Sequence, residues 1–225
     1  MKNALIMFMK APRLGTVKTR MQPQLTQKQS QQLYMAMGND LFAQHSSCPD
    51  YDLLVSFWPP DGLPDMQHWM GSDASYFPQH SGDLGLKMER AFQETLARGY
   101  EKVCIIGSDL PTIDSKLVDR AFEKLSNADA VFGPTVDGGY YLIAMKESNP
   151  PLFADVVWST ETVLPKTMEN ATSANLKVEL LEQLRDIDSF DEVQALWNMV
   201  NFANSPVAKQ IPATTNALRT IFSDK

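Results

Sequence analysis

Asp109 closes the stretch Val103-Cys104-Ile105-Ile106-Gly107-Ser108-Asp109, with Pro111 just beyond it. Four consecutive apolar residues suit a strand buried on both faces. A carboxylate delivered past the carboxyl end of such a strand lies where open α/β sheets bind ligands, and it can hold a cation there. The same aspartate equally suits a turn or a helix cap, because aspartate is common in proline-containing turns. A second stretch, KAPRLGTVKTR at residues 10–20, gathers Lys10, Arg13, Lys18 and Arg20 around Gly15. Gly15 lets backbone come close and the cations donate hydrogen bonds, so the loop can wrap phosphates; a solvated surface loop is the alternative. It carries neither G-x-x-x-x-G-K-[ST] nor G-x-G-x-x-G. A third stretch, Asp137-Gly138-Gly139, stands between two apolar runs and reads as a hairpin-like return or a close approach to a ligand. In a fourth, Asp186 and Asp188 are two residues apart and point to one side if extended. Ser189, Asp191 and Glu192 beside them favour a helix-capping cluster on residue types alone.

The elements that must position these residues alternate. Strands are expected at Asn3–Met9, Asp52–Phe57, Ser75–Pro78, Val103–Ile106, Ala130–Phe132, Tyr140–Met145 and Val178–Leu181. Helices are expected at Thr26–Gln44, Leu84–Arg98, Ser115–Leu125 and Phe190–Val200, the last capped by Ser189. Thr160–Asn170 reads as helical with Pro165 as a kink or break. Gly82-Asp83-Leu84-Gly85 introduces a helix and offers backbone amides to an anion or a base. This alternation argues for a single-domain three-layer α/β/α fold with a mainly parallel central sheet. The expected domain spans residues 1–200. Residues 201–225, with Pro206 and Pro212, read as a loosely packed tail, an extended arm or an extension of the domain.

The chain has 225 residues, 44% of them hydrophobic, enough for a full core. Its net charge is −7, which argues against general nucleic-acid binding. The first 39 residues carry six cations and no acid, so the remainder carries −13. A basic start on an acidic protein points to one anionic ligand bound at one place. Cys48 and Cys104 are too few for a disulfide framework, and a reducing cytoplasm is expected. No apolar run approaches membrane-spanning length, and Ala4–Met9 reads as a first strand rather than a signal peptide. His45, His68 and His80 lack zinc spacing.

The ordered motifs K-A-P-x-x-G-x-V-K-T-R, Q-x-S-G-D-L-G-x-x-M, I-I-G-S-D-x-P, F-G-P-x-x-D-G-G-Y-Y-L-I, W-S-T and D-I-D resemble the nucleotide-diphospho-sugar transferase superfamily, the GT-A fold, over about residues 3–200. Within it the chain resembles the bacterial group labelled glycosyltransferase or radical-SAM/selenodomain-associated transferase. It is more distantly similar to the guanylyltransferases of molybdenum-cofactor and phospholactate metabolism. The resemblance implies that Lys10, Lys18 and Arg20 face the phosphates of a nucleotide, with Gly15 opening room for the loop. It puts Gln79, Gly82, Asp83, Leu84 and Gly85 near base and ribose. Asp109 becomes the main ligand of Mg2+ or Mn2+, and Asp188, or else Asp186, the second. Asp137, Gly138, Gly139 and Tyr140 would line the acceptor side, with Trp158, Ser159 and Thr160 closing it. Lys18, Asp109 and Asp137 form the implied catalytic set.

Two departures leave the donor open. GSDLP carries one acid where glycosyltransferases carry Asp-x-Asp, and the first loop lacks the G-x-G-x-R-M form. The expected function is therefore transfer from an NTP or an NDP-sugar to a small-molecule acceptor, in a cytoplasmic enzyme with no nucleic-acid partner and a homodimer allowed. A non-catalytic nucleotide-binding or sensing domain is the alternative.

Overall fold

The computed structural model describes residues 2–223. Seven strands form one sheet: β1 (Asn3–Lys10), β2 (Tyr51–Trp58), β3 (Ser75–Pro78), β4 (Lys102–Ile106), β5 (Ala130–Pro134), β6 (Tyr140–Met145) and β7 (Val178–Leu180). Their spatial order is β3-β2-β1-β4-β6-β5-β7. Only β6 runs against the rest: β1 pairs in parallel with β2 and β4, whereas β6 pairs antiparallel with β4 and β5. The expected three-layer, mainly parallel architecture is therefore the one formed.

The apolar strands are apolar because both faces are covered. On β1, Leu5, Met7 and Met9 point to one side and pack with Leu117, Val118, Ala121 and Phe122 of the helix Ser115–Lys124 (α4 in chain order). Ala4 and Ile6 point to the other side, against Met88, Ala91 and Phe92 of α3 (Leu84–Ala97). Each large side chain so buried contributes about 1.5–3 kcal/mol. A third cluster joins Leu33 and Met37 of α1 (Gln27–His45) to Val193, Leu196 and Val200 of α6 (Phe190–Val200).

Three local expectations change. α2 (Leu63–Met70) was not anticipated; Pro64 stands in its first turn, where no helical N–H is needed. In α5 (Val163–Ser173), Pro165 is the third residue, so its missing N–H breaks no bond and the helix neither kinks nor stops there. Residues 206–223 are not loosely packed. They form α7 (Pro206–Gln210) and α8 (Pro212–Ser223), and Ile211, Leu218 and Ile221 are buried in the third cluster. The buried carboxylate of Asp40 on α1 accepts from the N–H groups of Ala213 (3.0 Å) and Thr214 (2.7 Å), which caps α8 at its positive end. Pro206 and Pro212 thus start helices rather than prevent them. Among the described residues, no helix is long and apolar enough to cross a membrane.

Candidate active site

The carboxyl ends of β1, β2, β3, β4 and β5 and the start of β6 share one edge of the sheet, and a cleft of about 620 Å³ opens there. Its charged lining comprises Lys10, Lys18, Arg20 and Lys87 against Asp109, Asp137, Asp186 and Asp188. Each arrives by a short local route. Lys10 ends β1, and its N–H donates to the Tyr34 hydroxyl at 2.7 Å, which ties the strand end to α1. Asp109 follows β4 through Gly107 and Ser108. Asp188 comes from far along the chain, and the Ile187 N–H donates to the Asp109 backbone carbonyl at 3.0 Å, holding the two segments side by side.

Lys18 occupies the centre. Its Nζ lies 2.6 Å from Asp109 Oδ1 and 3.1 Å from Asp188 Oδ1, and it also donates to the Ile187 carbonyl. The Lys18 side chain is only 4% exposed, whereas those of Asp109 and Asp188 are 42% and 34% exposed. Burial works against the ammonium charge, but Asp109 and Asp188 more than offset it and hold the Lys18 pKa above its ordinary value. The backbone of Lys18 lies at φ 50°, ψ 42°, a left-handed conformation that costs a non-glycine residue on the order of 1 kcal/mol. Arg20, largely exposed, reaches Asp188 Oδ2 at 3.4 Å. Asp186 sits beside this group. Burial first, then the charges of Asp137 and Asp188, push its carboxyl up to about 6.

The other wall is aromatic. Lys87 Nζ stands 3.9 Å above the Trp58 ring, and burial followed by the charge of Lys10 lowers its pKa. Among the described residues, neither Lys10 nor Lys87 is paired with a carboxylate. Gln79 is nine-tenths buried, and its Nε2 donates to the carbonyls of Ser56 (3.1 Å) and Met9 (3.4 Å). Its amide is thereby oriented, and the carbonyl oxygen is the end left to meet a ligand. The Tyr140 ring packs edge-on against Phe132 and Trp158, so it builds the wall rather than presenting its hydroxyl. A Cβ on Gly85 would stand 2.6 Å from Trp158, so only glycine lets α3 meet that ring.

The cleft brings together Lys10, Lys18, Arg20, Gln79, Asp109, Asp137, Gly139, Tyr140, Trp158 and Asp188. Gly15, Gly82, Asp83, Gly85 and Gly138 lie outside its lining. Gly15 turns the loop at φ 76° against Gln27. Asp83 caps α3 through the Leu86 N–H at 2.9 Å. Gly138 (φ 89°) accepts from the Leu164 N–H at 2.8 Å, fastening the turn to α5. Asp137 Oδ1 closes its own turn, accepting from the Thr135 hydroxyl and from the Gly139 N–H at 3.1 Å. Arg13 leaves the cleft for Asp65 (2.8 Å) and Asp61 (3.2 Å). Sequence reasoning missed Tyr34, Trp58 and Lys87. A Trp at the end of a strand and a Lys one helical turn into α3 were the only signals for the last two.

The family described as "Uncharacterized protein conserved in bacteria (DUF2064)" matches residues 41–160. No curated protein matches the sequence. The crystal structure of a "putative nucleotide-diphospho-sugar transferase" from Desulfovibrio desulfuricans G20 is 28% identical, covers 98% of this chain and 99% of its own, and superposes with a TM-score of 0.86. A cytidylyltransferase from Leptospira borgpetersenii serovar Hardjo-bovis, 12% identical, covers 100% of this chain and 95% of its own at a TM-score of 0.57. Rv0371c from Mycobacterium tuberculosis H37Rv in complex with manganese, also 12% identical, covers 89% and 100% at 0.51. The last two share the fold alone. The chain has the fold of the nucleotide-diphospho-sugar transferase superfamily that its motifs resemble.

Proposed function

This chain belongs to the DUF2064 family of bacterial proteins, and we propose that it is a metal-dependent transferase acting on a nucleotide donor. We assign it a GT-A fold as one domain over residues 1–200, with the helices beyond as an extension. We place it in the cytoplasm, in keeping with its two free cysteines. The observation that carries the reading is the triad at the strand ends, in which Asp109 and Asp188 share the Lys18 ammonium beside two unpaired lysines.

Asp109 and Asp188 fit a Mg2+ or Mn2+ ion. They offer hard oxygen donors, and an ion that keeps several waters needs few protein ligands. Asp137 and Asp186 line the same cleft, so further carboxylate oxygens stand near the pair. Such an ion would supply stabilisation of the charge that builds on the leaving phosphate. Lys10 and Lys87 hold non-bridging phosphate oxygens, the Gln79 carbonyl faces the base, and Trp158 walls off the acceptor side.

Nucleotidyl transfer is the favoured reaction. An acceptor phosphate oxygen attacks the α-phosphorus of an NTP, the new P–O bond forms, and the α–β bridge breaks with its electron pair leaving on pyrophosphate. The lone Asp109 and the cationic wall support it. Glycosyl transfer from an NDP-sugar is the second reading, in keeping with the name "putative nucleotide-diphospho-sugar transferase" given to the Desulfovibrio protein. Asp137 would then take the acceptor hydroxyl proton, though its Oδ1 is already engaged within the turn. Pyrophosphate release from the four NTPs, run beside NDP release from NDP-sugars with and without Mg2+, separates the two. Nucleotide binding with neither product released, across a panel of sugar-phosphate and hydroxyl acceptors, identifies a non-catalytic sensing domain instead.

A further inference from the structure

The triad has a property that a pair of carboxylates awaiting a metal would lack: its cation site already contains a cation of the chain's own. Lys18 Nζ touches one oxygen of each acid, 2.6 Å from Asp109 and 3.1 Å from Asp188, and is screened from solvent at 4% exposure. The loop that delivers it is shaped for the purpose. Gly15 and Lys18 both adopt left-handed backbone, and Lys18 keeps this strained conformation next to the Ile187 carbonyl that its ammonium also meets. A divalent ion placed between the same oxygens would face a buried positive charge at contact distance, where the low local dielectric makes repulsion strong. The ammonium can leave only if another anion receives it. Lys10, Lys87 and Arg20 show that the neighbouring cleft wall already favours such an anion.

We propose that Lys18 competes with a divalent metal for the Asp109–Asp188 pair, and that a phosphate-bearing ligand relieves this competition by drawing the ammonium away. Metal and nucleotide then bind as a coupled pair, each strengthening the other, rather than independently. Lys18 is in this sense a competitor of the metal as well as a partner of the phosphates. The proposal rests on the metal-and-nucleotide reading above.

The test is titration of Mn2+ alone, followed by the electron paramagnetic resonance signal of the free ion, on the full chain and three variants. Lys18→Met is expected to tighten Mn2+ by about ten-fold or more, within the usual range of coupling between sites. Lys18→Arg, which keeps the charge, is expected to bind Mn2+ as weakly as the parent. Lys18→Met/Asp109→Asn is expected to lose the gain. Lys18→Met binding Mn2+ no more tightly than the parent overturns the proposal. A measurement on the unaltered protein guards against a misfolded variant: thermal shifts with Mn2+ alone, with an equal mixture of ATP, CTP, GTP and UTP alone, and with both. A combined shift larger than the sum of the two supports the coupling, and an additive one overturns it. No shift with the mixture under any condition sinks the nucleotide reading instead, while the Mn2+ titrations still decide the role of Lys18.

Discussion

Two clusters of side chains of the types that can ligate a metal lie at opposite edges of the sheet. At the carboxyl edge, Asp109 and Asp188 converge on a buried ammonium beside a cleft of about 620 Å³. At the amino edge, Cys48, Asp50 and Asp119 bring their ligand atoms within 4.8 Å of one another, but among the described residues no cation pairs with them. There burial, and then Asp50, Glu123 and Asp114, push the Asp119 carboxyl up. Beside it stands a buried polar group of a different kind. His45 Nε2 lies 3.0 Å from the Ile113 carbonyl, so this nitrogen must donate, and Nδ1 accepts from the Tyr51 hydroxyl at 2.6 Å. Proximity of carboxylates is therefore a weak sign of a site. A buried counter-charge, a concave wall and separate chain segments meeting there distinguish the carboxyl edge, whereas the amino edge has the features of a structural seam.

If the comparison is right, substitutions at one edge cost function and at the other cost stability or nothing. Asp109→Ala is expected to weaken Mg2+-dependent nucleotide binding by about 100-fold or more, since it would remove one of the two carboxylates proposed to hold the ion. Isothermal titration measures this, and parental affinity in that variant would erase the contrast. His45 tests the other edge. Burial lowers its pKa to about 4 from 6.5. The unfolded chain therefore binds more protons between those values, and the stabilisation is whole above pH 6.5 and lost as pH falls toward 4. Going from pH 7 to 5 is expected to cost about 2 kcal/mol from this residue, read by urea unfolding, and His45→Phe should flatten that slope. Nucleotide affinity at pH 7 should be unaffected by His45→Phe. Lys18→Gln is expected to weaken binding of all four NTPs by about ten-fold without reordering them, because its proposed partners in the complex are phosphates rather than the base. Unequal losses among the bases would move Lys18 to the base side. The smallest effect belongs to Asp119→Ala: Mn2+ binding unchanged and stability within about 0.5 kcal/mol of the parent. A loss of metal there would make the amino edge a site after all.

The reach of sequence reasoning follows the distance over which each feature is decided. The apolar runs of β1, β4 and β6, the Ser189 cap and the Asp137-Gly138-Gly139 return were legible because a few consecutive residues specify them. The helices α7 and α8 were not. Their prolines look like breakers until Asp40, on α1, is seen to cap α8 and Ile211, Leu218 and Ile221 to bury. Gly15 was read as part of a phosphate cradle, but its place in the turn leaves it against Gln27, outside the cleft lining. Asp186 and Asp188 read more readily as a capping cluster, and Glu192 does complete the capping box with Ser189.

By itself the sequence determined that a carboxylate would follow a buried parallel strand and that a basic loop would follow another, because strand burial and turn chemistry are local. Only the tertiary structure decided that those two loops close on each other through one ammonium. The bond from the Ile187 N–H to the Asp109 carbonyl, and the reach of Lys18 into the gap beside it, depend on segments brought together by sheet order. No local spacing encodes that pairing, since a charged side chain takes its partner from whatever packing leaves within a few ångströms.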